Sequence, residues 1–264
     1  MKESRRSRVV FALLAGTLRP VFNVFLRKQW HGAENLPKDT GFIVCPNHVT
    51  EIDPVVVGHF LYNQGHPPHF LAKASLFKVP VLGPALSSTN QVPVERVTAG
   101  AAGSLDAARE ALAAGRALVI YPEGTLTRDP DLWPMKGRTG AARLALTTGV
   151  PVIPIAHWGD QELLPRYAKR PSLFPRKHVQ LVVGEPVDLS DFADQPLSKA
   201  VLDAATDRIM SDLTDMVSKL RGAEPPKARW DPVANGQRQI GRSFETGGNV
   251  SGTPTTHIKP EAPK

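Results

Sequence analysis

A histidine and an aspartate stand five positions apart, His48 and Asp53, in the run Asn47, His48, Val49, Thr50, Glu51, Ile52, Asp53. An imidazole takes up a proton near neutral pH. A carboxylate beside it fixes its tautomer and stabilises the cation that forms, which is the chemistry of a general base. The spacing alone is a weak signal in a chain with eight histidines. On a continuous helix, residues five apart diverge by about 140° and do not meet, so the pair requires a turn. Pro46 and Asn47 are turn-prone, and Asp53 followed by Pro54 reads as a helix N-cap and first helical residue, with Thr50 as a rival cap. The plain alternative is a capping Asp53 and a surface loop histidine.

A second stretch, Tyr121, Pro122, Glu123, Gly124, Thr125, Leu126, Thr127, Arg128, follows an apolar run. Gly124 permits close backbone approach, the threonines offer hydroxyls and Arg128 offers a charged fork, a combination that suits a phosphate. Its alternative is a solvated turn. A third, from Lys73 through Gly83 to Arg96, carries Lys73, Lys78 and Arg96 around a turn-rich segment, and basic residues at strand ends can converge on a phosphate. Most such charges are simply solvated. The run Gly149, Val150, Pro151, Val152, Ile153, Pro154, Ile155 carries no acid-base group and reads as a buried strand.

These stretches need a scaffold. Short β-type runs occur at 42–45, 69–72, 91–94, 117–121, 152–155 and 179–183, with helical runs at 54–62, 99–114, 139–148 and 197–220. The alternation predicts an α/β fold, a central mostly parallel sheet covered by helices on both faces. The motifs then fall in strand-to-helix connections, where such folds place ligand sites.

The N-terminal residues 1–28 carry Lys2, Arg5, Arg6 and Arg8 before an apolar run, with Arg19, Arg27 and Lys28 behind it. Leu14, Leu18, Val21, Phe22 and Phe25 recur at helical spacing. The run is interrupted and shorter than the roughly 20 residues that span a bilayer, and Pro20 is expected to kink or divide the helix. The reading is an amphipathic membrane-associating segment whose basic flanks suit the anionic cytoplasmic face of the cell membrane. Residues 29–221 form the main domain. Residues 222–264, rich in Pro, Gly, Thr and Lys, are expected to be a disordered tail.

The formal charge of +7 favours anionic partners. Three Tyr and four Trp, with no basic-aromatic motif, argue against nucleic acid. The single cysteine, Cys45, excludes an internal disulfide and fits a reducing compartment. No clustered set of metal ligands is visible.

Taken together, in this order, the stretches resemble the motif blocks of the glycerolipid acyltransferases, in particular the bacterial 1-acyl-glycerol-3-phosphate acyltransferases, over about residues 29–189. The resemblance implies that His48 deprotonates an acceptor hydroxyl and that Asp53 orients it. The hydroxyl then attacks an acyl thioester, acyl-CoA or acyl carrier protein, as co-substrate, with no other cofactor. It ties Arg96, Glu123, Gly124 and Thr125 to the acceptor's phosphate, with Lys73 similarly placed. Lys136 and Gly137 match the pair that follows the third block. Leu126 stands where the family usually has arginine, with Arg128 as a substitute two residues on. The implied partners are a membrane phospholipid surface, a lysophospholipid and the acyl donor, and the implied product is phosphatidic acid.

Three rivals stand beside this reading. One keeps the chemistry with another acceptor, a lysophospholipid, glycerol-3-phosphate or another lipid alcohol. One is a thioesterase or hydrolase, but there is no Gly-x-Ser-x-Gly elbow, and Cys45 closes an apolar run where a thiol is inert. The last is a non-catalytic lipid-binding protein.

Overall fold

A computed structural model of the chain describes residues 3–94 and 100–238, without the side chains of 100–102. Seven strands form one sheet: β1 (Leu26–His31), β2 (Phe42–Pro46), β3 (Pro68–Lys73), β4 (Val92–Val94), β5 (Ala117–Val119), β6 (Val152–Trp158) and β7 (Lys177–Val183), in the order β1-β7-β6-β2-β5-β3-β4. Every pairing is parallel except β6 with β7.

Alternation along the strands sorts the core into two layers. Ile43, Cys45, Leu118 and Val152 face helices α4 (Gly100–Ala113), α5 (Gly140–Thr148) and α8 (Lys199–Arg221), meeting Ala108, Leu112, Leu144 and Ile209. Phe42, Val44, Val119 and Ile153 face α2 (Asp53–Asn63), meeting Val57, Phe60 and Leu61. Helices thus cover both faces. β2 is buried at all five positions, which is what a central parallel strand requires.

The N-terminal helix α1 (Arg5–Phe25) is continuous through Pro20, so the proline does not divide it. One face of α1 docks on the domain. Phe11 stacks on Tyr62 and meets His69 edge-on, and Phe22 meets His59 edge-on. Burying each ring contributes roughly 2 kcal/mol. The helix is 21 residues, long and apolar enough to cross a membrane by length and composition, where the interrupted sequence read as too short. The strand β1 begins at Leu26, so the boundary expected at residue 28 falls inside the sheet.

Short elements complete the chain: 3-10 turns at Ala33–Asn35 and Ala74–Lys78, and helices α3 (Leu82–Ser88), α6 (Asp160–Leu163) and α7 (Ser190–Ala193). α8 ends at Gly222, in the left-handed region. The following residues to 238 do not behave as the structureless tail expected from 222 onward. Trp230 O accepts from Lys136 N (2.9 Å), Asp231 pairs with Lys136 Nζ (2.8 Å) and Arg229 pairs with Asp207 (2.9 Å). Residues 239–264 lie outside the described residues.

Candidate active site

The chain leaves β2 at Pro46, and Asn47 fastens the exit. Its side-chain Nδ2 donates to His157 O (3.0 Å), and its side-chain Oδ1 accepts from His157 N (2.9 Å), so the loop is clamped to β6. His48 follows on a turn. Its Nδ1 lies 3.0 Å from Asp53 Oδ2. The same oxygen accepts from Val49 N (2.6 Å) and Thr50 N (2.9 Å).

Asp53 is therefore the first residue of α2 and not its N-cap, a correction to the sequence reading. Its carboxylate turns back to the loop amides and gathers the turn around itself. With Nδ1–H donating to the carboxylate, the lone pair sits on Nε2, the nitrogen that can accept a proton. The His48 side chain keeps 15% exposure while Asp53 is sealed.

The stretch after β5 builds the opposite wall. Tyr121 stacks on the His48 ring at 4.0 Å between centroids. Glu123 Oε1 accepts from His48 N (2.9 Å), and Oε2 accepts from Met135 N (3.0 Å). Glu123 was expected among the phosphate-binding residues. In the structure its two oxygens hold the backbone on either side, at His48 and at Met135. Burial raises its pKa to about 8 against the pull of those N–H groups. Thr127 N donates to His48 O (2.7 Å), and its hydroxyl donates to Trp133 O (2.6 Å).

Gly124 has φ +73, and an added Cβ would lie 2.6 Å from Arg138 Cδ, so the Arg138 side chain lies across this turn. Thr125 is half-buried beside it. Leu126 and Arg128 are both buried, at 7% and 2% exposure. Arg128, expected to replace the missing arginine, lies below the rim because residues 126–129 run through the interior. Lys73 is exposed at the end of β3. Arg96 lies outside the described residues. His48, Glu123, Gly124, Thr125 and Lys73 all follow or end parallel strands, so they gather at the carboxyl edge of the sheet.

Sequence reasoning missed what lies beneath. His157, on β6, is fully buried; its Nε2 is 2.7 Å from Asn47 O, its Nδ1 is 2.8 Å from Asp160 Oδ2, and Nε2 is 4.0 Å from Asp53 Oδ2. Asp53, His157 and Asp160 offer three ligand-type atoms within 4.8 Å of one another, although the sequence indicated no such cluster. Asn47 O engages His157, His48 and the loop amides engage Asp53, and Asp160 Oδ2 meets His157 Nδ1, so the three residues form one connected polar network. Burial, then the charge of Asp160, push the Asp53 carboxyl well above the usual range. Asp160 stays below its ordinary value, because the attraction and hydrogen bond of His157 outweigh burial. His157 is correspondingly raised. Cys45 is sealed, and burial pushes its thiol up, away from the reactive thiolate.

A buried carboxylate thus holds a partly exposed imidazole at the carboxyl edge of a parallel sheet. The sequence profile described as Acyltransferase matches residues 27–158, and the chain belongs to that family. The 1-acyl-sn-glycerol-3-phosphate acyltransferase of Bacillus subtilis is 28% identical over 211 residues, 80% of this chain and 98% of that protein. The chloroplastic 1-acyl-sn-glycerol-3-phosphate acyltransferase BAT2 of Brassica napus is 29% identical over 192 residues, 67% of this chain. This chain spans about half of the plant protein's length, 54%. Among solved structures, the 1-acyl-sn-glycerophosphate acyltransferase PlsC of Thermotoga maritima superposes with a TM-score of 0.63 at 25% identity, covering 86% of each chain.

Proposed function

We propose that the protein transfers a fatty acyl chain from an acyl thioester to the sn-2 hydroxyl of 1-acyl-glycerol-3-phosphate, giving phosphatidic acid in phospholipid biosynthesis. The observation that carries it is the contact of His48 Nδ1 with Asp53 at 3.0 Å, in a member of this family. His48 Nε2 takes the hydroxyl proton. The oxygen attacks the thioester carbonyl, the C–S bond breaks, and the thiolate leaves with the proton returned by His48. The thioester is already an activated acyl donor, so the base and the positioning of the two substrates suffice without a bound cofactor.

The acceptor's phosphate is assigned to the turn at Gly124 and Thr125 with Arg138, joined by Lys73 and Arg96. Arg138 takes the place that buried Leu126 cannot fill. Leu126 also favours a second reading, the same transfer to another lipid alcohol. The acyl donor is coenzyme A- or carrier-protein-linked. The apolar face of α1 associates the enzyme with the membrane surface, with its basic residues toward the anionic cytoplasmic leaflet.

The test is an acyl-transfer assay with purified protein, two thioester donors, and lysophosphatidic acid, glycerol-3-phosphate and an uncharged lipid alcohol as acceptors. Lysophosphatidic acid is expected to be preferred, and His48→Ala to lose about 10³-fold or more in kcat. Full turnover in His48→Ala, or no preference for the phosphate-bearing acceptor, overturns the reading.

A further inference from the structure

We infer that His157 and Asp160 form a second histidine–aspartate pair behind the first, positioning residues that set the charge of Asp53 during the transfer. The inference rests on the proposed role of His48 as base.

The geometry fixes much of the protonation. A backbone carbonyl only accepts, so His157 Nε2, 2.7 Å from Asn47 O, must carry a proton. Its Nδ1 is 2.8 Å from Asp160 Oδ2. The Asp53 and Asp160 carboxyls come within 4.8 Å of each other, both sealed from solvent, and two carboxylates this close in a dry site do not ionise together, which leaves one proton between them. Asp53 Oδ2 is already taken by Val49 N, Thr50 N and His48 Nδ1, leaving Oδ1 as the oxygen for that shared proton. All three side chains have 0% exposure, so no solvent screens them. One shared proton and a cationic His157 make the cluster neutral, the arrangement that a buried site favours. The groups facing Asp53 are His48, His157 and Asp160, with Tyr121 close enough to feel both carboxylates.

The backbone holds the pair in place. Gly159 separates β6 from α6 at φ +105, with its Cα so close to His178 O that a Cβ would lie 1.8 Å from it. Thr50 Oγ1 donates to Leu164 O, just beyond α6, tying the catalytic turn to the same short helix.

A step follows in which protons balance. At rest the shared proton sits on Asp53, Asp160 is anionic and His157 cationic. As His48 Nε2 takes the acceptor's hydroxyl proton, the shared proton moves from Asp53 to Asp160. Asp53 becomes an anion at the moment its partner becomes a cation. His157 keeps its charge throughout and makes Asp160 a stable anion before the step.

Asp160→Asn can donate to Asp53 but cannot hold the shared proton, so Asp53 is ionised at rest and stabilises the His48 cation permanently. His157→Gln keeps a donor to Asn47 O and removes the buried positive charge. Both changes raise the pKa of His48. In the acyl-transfer assay, the acid limb of kcat/KM is expected to move to higher pH by about one unit in each variant. The plateau kcat is expected to fall about tenfold in Asp160→Asn. Melting curves establish that each variant is folded. A purely structural role lowers the rate at every pH and leaves the midpoint where it is. That result in folded variants overturns the inference.

The wild-type protein supplies a second readout if a variant does not fold. The ¹⁵N shifts of the His157 ring are expected to report both nitrogens protonated from pH 5 to pH 9. A singly protonated ring at pH 6 overturns the inference. If His48→Ala retains turnover, the proposed reaction itself fails. If His48→Ala is inactive while these limbs stay still, only the second pair fails.

Discussion

Asp53 Oδ2 accepts three N–H groups at once, so one carboxylate both shapes the turn and holds the base. Asn at this position keeps an acceptor for the two amides but loses the charge that stabilises the imidazolium. Asp53→Asn is expected to lower kcat by about 10²–10⁴ with acceptor KM nearly unchanged, measured by steady-state kinetics. In the proposed function Arg138 serves the acceptor's phosphate. Arg138→Ala is expected to raise the KM for lysophosphatidic acid by about tenfold or more and to leave an uncharged alcohol unaffected. Glu123 carries a pH signature of its own. Its folded pKa of about 8 lies above the 4.5 of a free glutamate, so its contribution to stability is complete below pH 4.5 and is lost as pH rises through 8. The wild-type melting temperature is expected to fall across pH 5–8, and that of Glu123→Gln to stay flatter. At pH 5, Glu123→Gln is expected to cost about 1–3 kcal/mol, since one backbone N–H then faces an amide donor. The dyad was legible in sequence because both residues sit on one short turn. His157 and Asp160 were not, because they reach the turn from over 100 positions away, as the Asn47–His157 hydrogen bond does. The available hint was a His-x-x-Asp with a glycine between, at the end of an apolar strand.

The strands and helices that build the site were legible where apolar runs were long. Residues 42–45, 117–121 and 152–155 became β2, β5 and β6 within a few positions. β1 escaped notice because Leu26–His31 is an edge strand in which only Leu26 is buried and exposed positions alternate with half-buried ones, so its composition imitates a basic linker. α3 escaped because Gly83 and Pro84 read as a turn. Pro20 makes a prediction at the scale of the helix, because α1 runs through it undivided. Pro20→Ala restores a backbone N–H opposite Gly16 O and is expected to stabilise the protein by about 1–3 kcal/mol, read as a rise in melting temperature. Gly159→Ala tests the opposite case. A methyl group cannot fit 1.8 Å from His178 O, and φ +105 is hostile to any side chain. The variant is expected to lose more than about 3 kcal/mol, or to fail to fold, because both the β6–α6 turn and the contact with β7 must shift.

At the scale of the whole molecule, α1 has two faces with different business. Phe11, Ala15 and Phe22 are buried against the domain, whereas Val9, Leu13, Leu14, Val21 and Val24 are exposed at 40–65%. A row of large aliphatics left in water on a docked helix marks a surface made for something apolar. Arg5, Arg6, Arg8 and Arg19 lie on the same helix and suit anionic head groups. Removing α1 altogether is a poor test, because it also strips the cover from Tyr62, His59 and His69 and so confounds detachment with unfolding. Charge placed on the outer face alone avoids this. Leu13→Glu with Val24→Glu leaves the docked rings untouched, so the melting temperature is expected to hold while binding falls. Sedimentation with anionic phospholipid vesicles is expected to drop about tenfold or more, since each change removes apolar burial and adds like charge against the bilayer surface. Raising salt to 1 M is expected to weaken wild-type binding only in part, because screening acts on the arginines and not on the aliphatic row. Equal sedimentation of variant and wild type would show that the outer face of α1 is not what holds the enzyme to its substrate's membrane.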